Sequence, residues 1–285
     1  EITAPESCSR IIRIDRMLSS FPGIGRSTVS GSESVSIRAT TFAPETREQV
    51  AEAVAWAVAE EAPLEVIGRG TKQALGRPVQ AAHSLDLSRL DGITLYEPEE
   101  LVLSARAGTA LSTIEAALDE QRQMLAFEPA DLGPLLGATA GSASIGGVLA
   151  CNLSGPRRIK AGAARDHFLG VEAASGRGEI FKSGGRVVKN VTGYDLCKLL
   201  SGSYGTLAVM TDVTVKVLPR PEKTYTVLVV GLDDAAAVRA MTRALGSPHE
   251  VSGAAHLPAA LAAKSDVSYV AGAGAPERRA ARRIV

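Results

Sequence analysis

The residues best suited to chemistry form a five-residue loop, Gly68-Arg69-Gly70-Thr71-Lys72, directly after the strand-like run Leu64-Glu65-Val66-Ile67. Glycine tolerates positive φ, so such a loop can turn successive N–H groups toward one anion, and Thr71 adds a hydroxyl donor. This is the make-up of a diphosphate cradle. It is also the make-up of an ordinary strand-to-loop turn, and the five residues alone favour the turn. A second passage, Ser144-Ile145-Gly146-Gly147-Val148-Leu149-Ala150-Cys151-Asn152-Leu153-Ser154-Gly155, sets paired glycines, Asn152 and Ser154 into an apolar run. Paired glycines there mark the close approach of another backbone or a flat ligand. Asn152 and Ser154 carry groups that can hydrogen-bond a ligand's polar edge. The two passages together favour the cradle.

Other chemistries are poorly supported. A dinucleotide-binding Gly-x-Gly-x-x-Gly turn fails at Gly68-x-Gly70, because position 73 is Gln, and at Gly272-x-Gly274, which runs into Ala275-Pro276. No Walker A string occurs. The three cysteines, Cys8, Cys151 and Cys197, lie far apart without CxxC spacing, which argues against a zinc site or an iron–sulfur cluster built by this chain alone. His167, beside Asp166, invites reading as a base, but no partner is evident and a structural or surface histidine is the simpler reading.

The elements that must position these residues are legible in outline. Thr46 and Gln49 have capping-box spacing ahead of a helix whose apolar face is Val50, Val54, Ala57 and Val58, ended by Pro63. Strands are expected at 64–67, 85–87, 93–96 and 101–105, followed by a helix with Leu111, Ile114 and Leu118 on one face. Residues 133–165 form a Gly/Ala/Ser-rich passage too apolar for a flexible linker. A hairpin, Val171–Ala174 and Glu179–Lys182, turns at Gly176-Arg177-Gly178, and 207–217 alternates as a half-buried strand. After Pro219-Arg220-Pro221 a strand at 226–232 and a helix at 235–245 open what reads as another domain, unfinished at Val285. Residues 1–36, without sustained period, read as a disordered or spurious leader. Lys plus Arg and Asp plus Glu both total 31 in 285 residues, so nothing electrostatic points to nucleic acid. With no signal-like N-terminus and no apolar run long enough to cross a bilayer, the expected location is the cytoplasm.

The order of the glycine motifs resembles a known family. Ile67 to Lys72, then Ile145-Gly146-Gly147 with Asn152 and Gly155, then Gly162 and Arg165-Asp166-His167-Phe168-Leu169-Gly170 are similar to the FAD-binding family of vanillyl-alcohol oxidase and D-lactate dehydrogenase. Val188-Lys189-Asn190-Val191-Thr192-Gly193-Tyr194-Asp195-Leu196 and Gly202-Ser203-Tyr204-Gly205-Thr206-Leu207 extend the likeness to glycolate oxidase and related 2-hydroxy-acid dehydrogenases. Asn152-Leu153-Ser154-Gly155-Pro156-Arg157-Arg158 further resembles the FAD-binding glycolate oxidase subunit. The resemblance implies an α+β fold of the PCMH type over 37–220, with subdomains at about 37–92 and 93–220 and FAD between them, and an incomplete α+β cap from 221. It implies cofactor contacts from Gly68, Arg69, Gly70, Thr71 and Lys72, from Ile145, Gly146, Gly147, Asn152, Ser154 and Gly155, from Gly162 and Asp166, and from Val209 near the adenosine end. Covalent members carry a histidine near the first loop; Gln73 and Ala74 stand there and His83 lies beyond, so the FAD is expected to be non-covalent. Ser142-Ala143-Ser144 and Ala208 depart from the usual pattern. The implied activity is oxidation of glycolate or another small 2-hydroxy acid. The implied partners are a larger FAD-containing subunit and an iron–sulfur subunit, through which any membrane association would come. A non-catalytic electron-relay subunit and a self-contained D-lactate-type dehydrogenase remain alternatives, and no residue is assigned as catalytic.

Overall fold

A computed structural model describes residues 40–185, 193–258, 269–271 and 279–281. The expected leader and the Val188–Thr192 part of the family string lie outside them.

The first layer is small. β1 (Thr40–Phe42) leads into α1 (Arg47–Ala59), then β2 (Leu64–Ile67) and β3 (His83–Asp86). The three strands form a parallel sheet with β3 in the middle. α1 starts as its sequence requires: the Thr46 hydroxyl accepts the Gln49 N–H at 3.2 Å. The Gln49 side chain reaches back one residue further than the usual box, to the N–H of Glu45 at 2.7 Å. Its buried face is Val50, Ala53, Val54, Trp56 and Ala57, packed on Phe42, Leu85 and Leu90. Val58 was expected on this face but is 54% exposed. At 100° per residue, 53 and 56 close one edge of the 50/54/57 stripe, and 58 falls past the other.

The second layer is a five-stranded antiparallel sheet. β4 (Ile93–Glu97), β5 (Val102–Arg106), β7 (Phe168–Ser175), β8 (Ile180–Gly184) and β9 (Ala208–Lys216) are arranged in the order β4-β5-β9-β7-β8. Between β5 and β7 the chain runs through α2 (Leu111–Glu120), β6 (Gln123–Met124) and α3 (Ile145–Cys151); α4 (Leu196–Leu200) precedes β9. β6 pairs with β10 (Leu218–Pro219). α2 buries the expected Leu111, Ile114 and Leu118, and these join Phe127, Val148, Leu149, Val171 and Val215 in one core.

The other face of the second sheet lies against α1, since Ala174 and Val209 belong to the core of the first layer. The β7–β8 turn fits only because residue 178 is glycine. It has φ +74°, and a Cβ there would sit 2.9 Å from the Ala55 Cβ and 3.0 Å from the Ala51 carbonyl oxygen. Arg47 on α1 also pairs with Glu172 on β7 at 2.5 Å, and Lys182 on β8 holds the same carboxylate at 3.0 Å. Burial alone would raise the Glu172 carboxyl, but the hydrogen bonds from Lys182 and Arg47 bring it below the usual range. The layers are thus locked by apolar contact, close backbone approach and charge.

After the sheet, α5 (Asp234–Leu245) forms as expected, capped by the Asp233 carboxylate on the Ala236 N–H. The strand expected at 226–232 does not form; this stretch is irregular, with Val227, Val229 and Val230 exposed. Its alternation suits a strand, but a strand exists only where a neighbour takes its hydrogen bonds, and none lies beside it among the described residues.

Candidate functional site

A cleft opens between the two layers where the β2 loop faces α3. Its empty volume is about 770 Å³ with the open mouth included, within the range of small-molecule and cofactor sites. Residues 68–72 form one wall; Ser144, which caps α3, and Gly146, Gly147 and Cys151 on it line the other, and the loop Tyr204-Gly205 with the start of β9 closes one end.

The glycines do separate jobs. Gly70 has φ +68°, the left-handed backbone that favours glycine. Gly68, expected to share it, does not; it is needed for closeness, since a Cβ there would fall 2.3 Å from the Ser144 Oγ. Gly146 donates its N–H to the Ala107 carbonyl at 2.9 Å, and a Cβ would meet that oxygen at 2.7 Å, so α3 lies directly on the end of β5. Gly147 lines the cleft, and a Cβ there would lie 3.1 Å from the Ser144 Oγ and 3.6 Å from the Lys72 Nζ. Close backbone approach and a cleft-lining surface, alternatives on sequence alone, are both present, one per glycine.

The two cations also part. The Arg69 guanidinium donates to the Gly108 carbonyl at 2.7 Å and pairs with Asp91 at 3.1 Å, so its side chain is committed to structure although the residue lines the cleft. The Lys72 ammonium lies in the cleft, donating to the buried Thr71 hydroxyl at 3.2 Å, and pairs with no carboxylate among the described residues. Burial holds its pKa below the ordinary lysine value, partly offset by Cys151 and Asp131 nearby. Burial likewise pushes the Cys151 thiol up, against the pull of Lys72. An anion entering here would find an ammonium without a carboxylate partner beside glycine-lined backbone.

Seven of the fourteen residues expected to contact a cofactor therefore line one cleft: Gly68, Arg69, Gly70, Thr71, Lys72, Gly146 and Gly147. The other seven lie outside its lining. Ile145 is fully buried in the main core. Asn152 ends α3 in the left-handed region, φ +51°, and its Oδ1 accepts the Arg165 N–H at 3.0 Å. The Ser154 hydroxyl accepts the Ala164 N–H at 2.9 Å, and Gly155 packs on Glu128. Gly162, φ +91°, sits against Asp166, whose carboxylate accepts the Ala163 N–H at 2.8 Å. Val209 is buried between α1 and the sheet, bordering a second, apolar hollow that shares Val66 and Gly205 with the main cleft. His167 is structural: fully buried, with Nε2 2.8 Å from the Ala161 carbonyl and the ring 5.3 Å from that of Phe127. Cys151 and Tyr204 are among the cleft residues to which the sequence assigned no contact. Cys151 was visible as the residue one helical turn after Gly147, and Tyr204 as the aromatic in a glycine-flanked loop.

Residues 39–184 match the FAD binding domain family. The chain belongs to that family. The glycolate oxidase subunit GlcE of Escherichia coli (strain K12) is 46% identical over 170 residues, covering 60% of this chain and 46% of that protein. A D-lactate dehydrogenase of Anaerostipes hadrus is 32% identical over 145 residues, 51% of this chain and 29% of the other. The chain thus spans under half the length of these curated relatives. Among solved structures, Phl p 4.0202, a glucose dehydrogenase, superposes over 64% of this chain and 35% of its own with a TM-score of 0.52 at 16% identity, which speaks to the shared PCMH-type fold alone. The cleft suits the family's cofactor. FAD needs bare backbone for its diphosphate, which Gly70 and Gly147 offer in the cleft lining, and a counter-charge, which Lys72 carries. No helix among the described residues is long and apolar enough to cross a membrane.

Proposed function

We propose that the chain is the FAD-binding portion of a glycolate oxidase subunit, which oxidises glycolate to glyoxylate in a complex with a larger FAD-containing subunit and an iron–sulfur subunit. The observation that carries this reading is the cleft's pairing of the Gly68–Lys72 loop with Gly147, in a chain whose GlcE relative is 46% identical. Residues 68–72 and 147 would hold the diphosphate, with Gly70 setting the turn and Lys72 supplying charge. When bound, the flavin supplies the hydride acceptor for oxidation of a 2-hydroxy acid. The protein's share is to bind and orient the cofactor and to keep water from the ring.

Among the described residues the titratable groups lining the cleft are Arg69, Lys72, Cys151 and Tyr204. None is an obvious base for a hydroxyl proton: Arg69 is tied to Asp91 and the Gly108 carbonyl, Lys72 donates to Thr71, burial disfavours the Cys151 thiolate, and Tyr204 is exposed at one end of the cleft. This favours a base supplied from outside the described cleft, and it keeps the electron-relay reading open as the second choice. We also read the FAD as non-covalent: His83 is buried against Trp56 at a ring distance of 5.1 Å, and no histidine lines the cleft among the described residues.

The test uses the full-length protein with its co-purifying partners. Glycolate should bleach the flavin absorbance under exclusion of oxygen, D-lactate less so. Acid precipitation should release the flavin to the supernatant. The Gly70→Val variant should lose flavin while keeping its far-UV dichroism, because a β-branched residue is poorly tolerated at positive φ. Flavin retained on the precipitate, or full flavin content in Gly70→Val, would each break part of this reading.

A further inference from the structure

The loop between α4 and β9 carries a feature that the diphosphate site does not use. Three of its residues have positive φ: Gly202 at +86°, Tyr204 at +56° and Gly205 at +76°. Two glycines there cost little, whereas a tyrosine in the left-handed region is strained, and strain of this kind persists only where the surroundings enforce it. The enforcing contacts are plain. The Tyr204 N–H donates to the Ala150 carbonyl at 2.9 Å, the Gly202 N–H to the Leu149 carbonyl at 3.2 Å, and the Ser201 hydroxyl to that same Leu149 oxygen at 3.2 Å. On its other side the loop rests on β2, where a Cβ at Gly205 would lie 3.4 Å from the Val66 Cβ. The loop therefore straps the end of α3 to β2, the two walls of the cleft, and Tyr204 sits on the strap.

The ring itself is not used by the fold. Tyr204 lines the cleft yet is 58% exposed. Its hydroxyl has no hydrogen bond and its ring no aromatic neighbour among the described residues. Glycine or asparagine would hold the same backbone with less strain. A flat, half-exposed ring with two side-chain torsions, fixed at a cleft end by a backbone that resists it, presents a stacking surface at small ordering cost.

We propose that the Tyr204 ring stacks on a planar heteroaromatic ring of the bound dinucleotide, making Tyr204 a determinant of cofactor affinity at the 202–205 end of the cleft. This rests on the reading that FAD occupies the cleft. The test is FAD titration of the full-length apoprotein as wild type, Tyr204→Gly and Tyr204→Phe, with thermal melts of each apoprotein. Tyr204→Gly removes the ring and relieves the strain, so its melting temperature should be equal or higher while its FAD dissociation constant rises by about tenfold. Tyr204→Phe should stay within about twofold of wild type, since stacking needs the ring and not the hydroxyl. Titrations with ADP and with FMN then tell which ring is covered: a loss confined to ADP indicates adenine, a loss confined to FMN the isoalloxazine, and either supports the proposal. Unchanged FAD affinity in Tyr204→Gly, a Tyr204→Phe as weak as Tyr204→Gly, equal losses for ADP and FMN, or a lowered melting temperature would each overturn it. A wild-type protein that binds no FAD would instead remove the reading beneath it, and that is seen before any variant is made.

Discussion

In the loop 68–72, Gly70 is held at positive φ, Gly68 is pressed against Ser144, and the Lys72 ammonium lies in the cleft with a hydroxyl as its neighbour. The stretch 152–166 also carries glycine and polar residues, but Asn152 serves Arg165, Ser154 serves Ala164 and Asp166 serves Ala163. Both stretches use glycine to bring chain against chain. They differ in what is left over. The second spends its side-chain acceptors on backbone N–H groups 3 to 13 residues away, fixing the irregular path from α3 to β7. The first leaves a cation and a cleft wall available. A binding site here is the place where polar atoms were not needed for folding, and each of the following variants tests that division.

The largest effect is expected at Gly68. Gly68→Ala places a methyl 2.3 Å from the Ser144 Oγ, so either the buried hydroxyl must swing off the Gly147 N–H or the loop must move away from α3, and both reshape the cleft wall. Overpacking of this kind costs roughly 1–3 kcal/mol, and we expect the upper end here, about a hundredfold in FAD affinity. Ser144→Ala in the same chain removes the clashing oxygen and leaves the Ser144 Cβ at an ordinary 3.5 Å. The double variant should recover most of the loss, less the small cost of losing the Ser144 cap on the Gly147 N–H. If Ser144→Ala rescues nothing in an FAD titration, the close approach of loop and helix is not what shapes the site.

Lys72 should give the next largest effect, with opposite signs for stability and binding. Its folded pKa lies below the ordinary value of about 10.4 because burial disfavours the charge. Between the lowered and ordinary values the unfolded chain holds more protons, so Lys72 makes apoprotein stability rise with pH across that window. Below the window its buried charge is a standing penalty. Lys72→Met should therefore leave the apoprotein at least as stable at neutral pH while weakening FAD by about tenfold, the order of one charge-assisted hydrogen bond. Wild-type FAD affinity should also fall on the alkaline side before free lysine would titrate, and that fall should vanish in Lys72→Met. An apoprotein destabilised by the substitution would mean that Lys72 belongs with the spent residues.

How far this division was legible in the sequence depends on the range of each contact. The helix 47–59 was readable because its cap, Thr46 to Gln49, is local. The loop 68–72 was readable because a glycine pair after a strand has few uses. α3 was hidden: Gly146 and Gly147 are poor helix formers, and what holds the helix is the docking of Gly146 on Ala107, 39 residues earlier. Arg69 and Lys72 could not be told apart, since Arg69 is claimed by Asp91 and by the Gly108 carbonyl, 22 and 39 residues away. The same holds for Asn152 and Ser154, whose acceptors suit a ligand and a backbone N–H equally, and only the fold brings the N–H.

The smallest expected effect on binding is at Asp166, and it tests the other side of the division. Its carboxylate accepts the Ala163 N–H at 2.8 Å at the start of the helical turn 164–167, which carries the buried His167 into its place. Asp166→Ala removes that acceptor, and loss of a capping side chain costs about 1 kcal/mol, a fall in melting temperature of roughly 2–4 °C for a chain of this size. Asp166→Asn keeps an oxygen acceptor in the same place and should recover most of it. Because the carboxylate is exposed and outside the cleft lining, neither change should move the FAD dissociation constant by more than about twofold, an energy well under 1 kcal/mol. If instead Asp166→Ala weakened FAD by tenfold or more at unchanged melting temperature, the carboxylate would be reaching the cofactor. The stretch 152–166 would then belong to the site rather than to its scaffold.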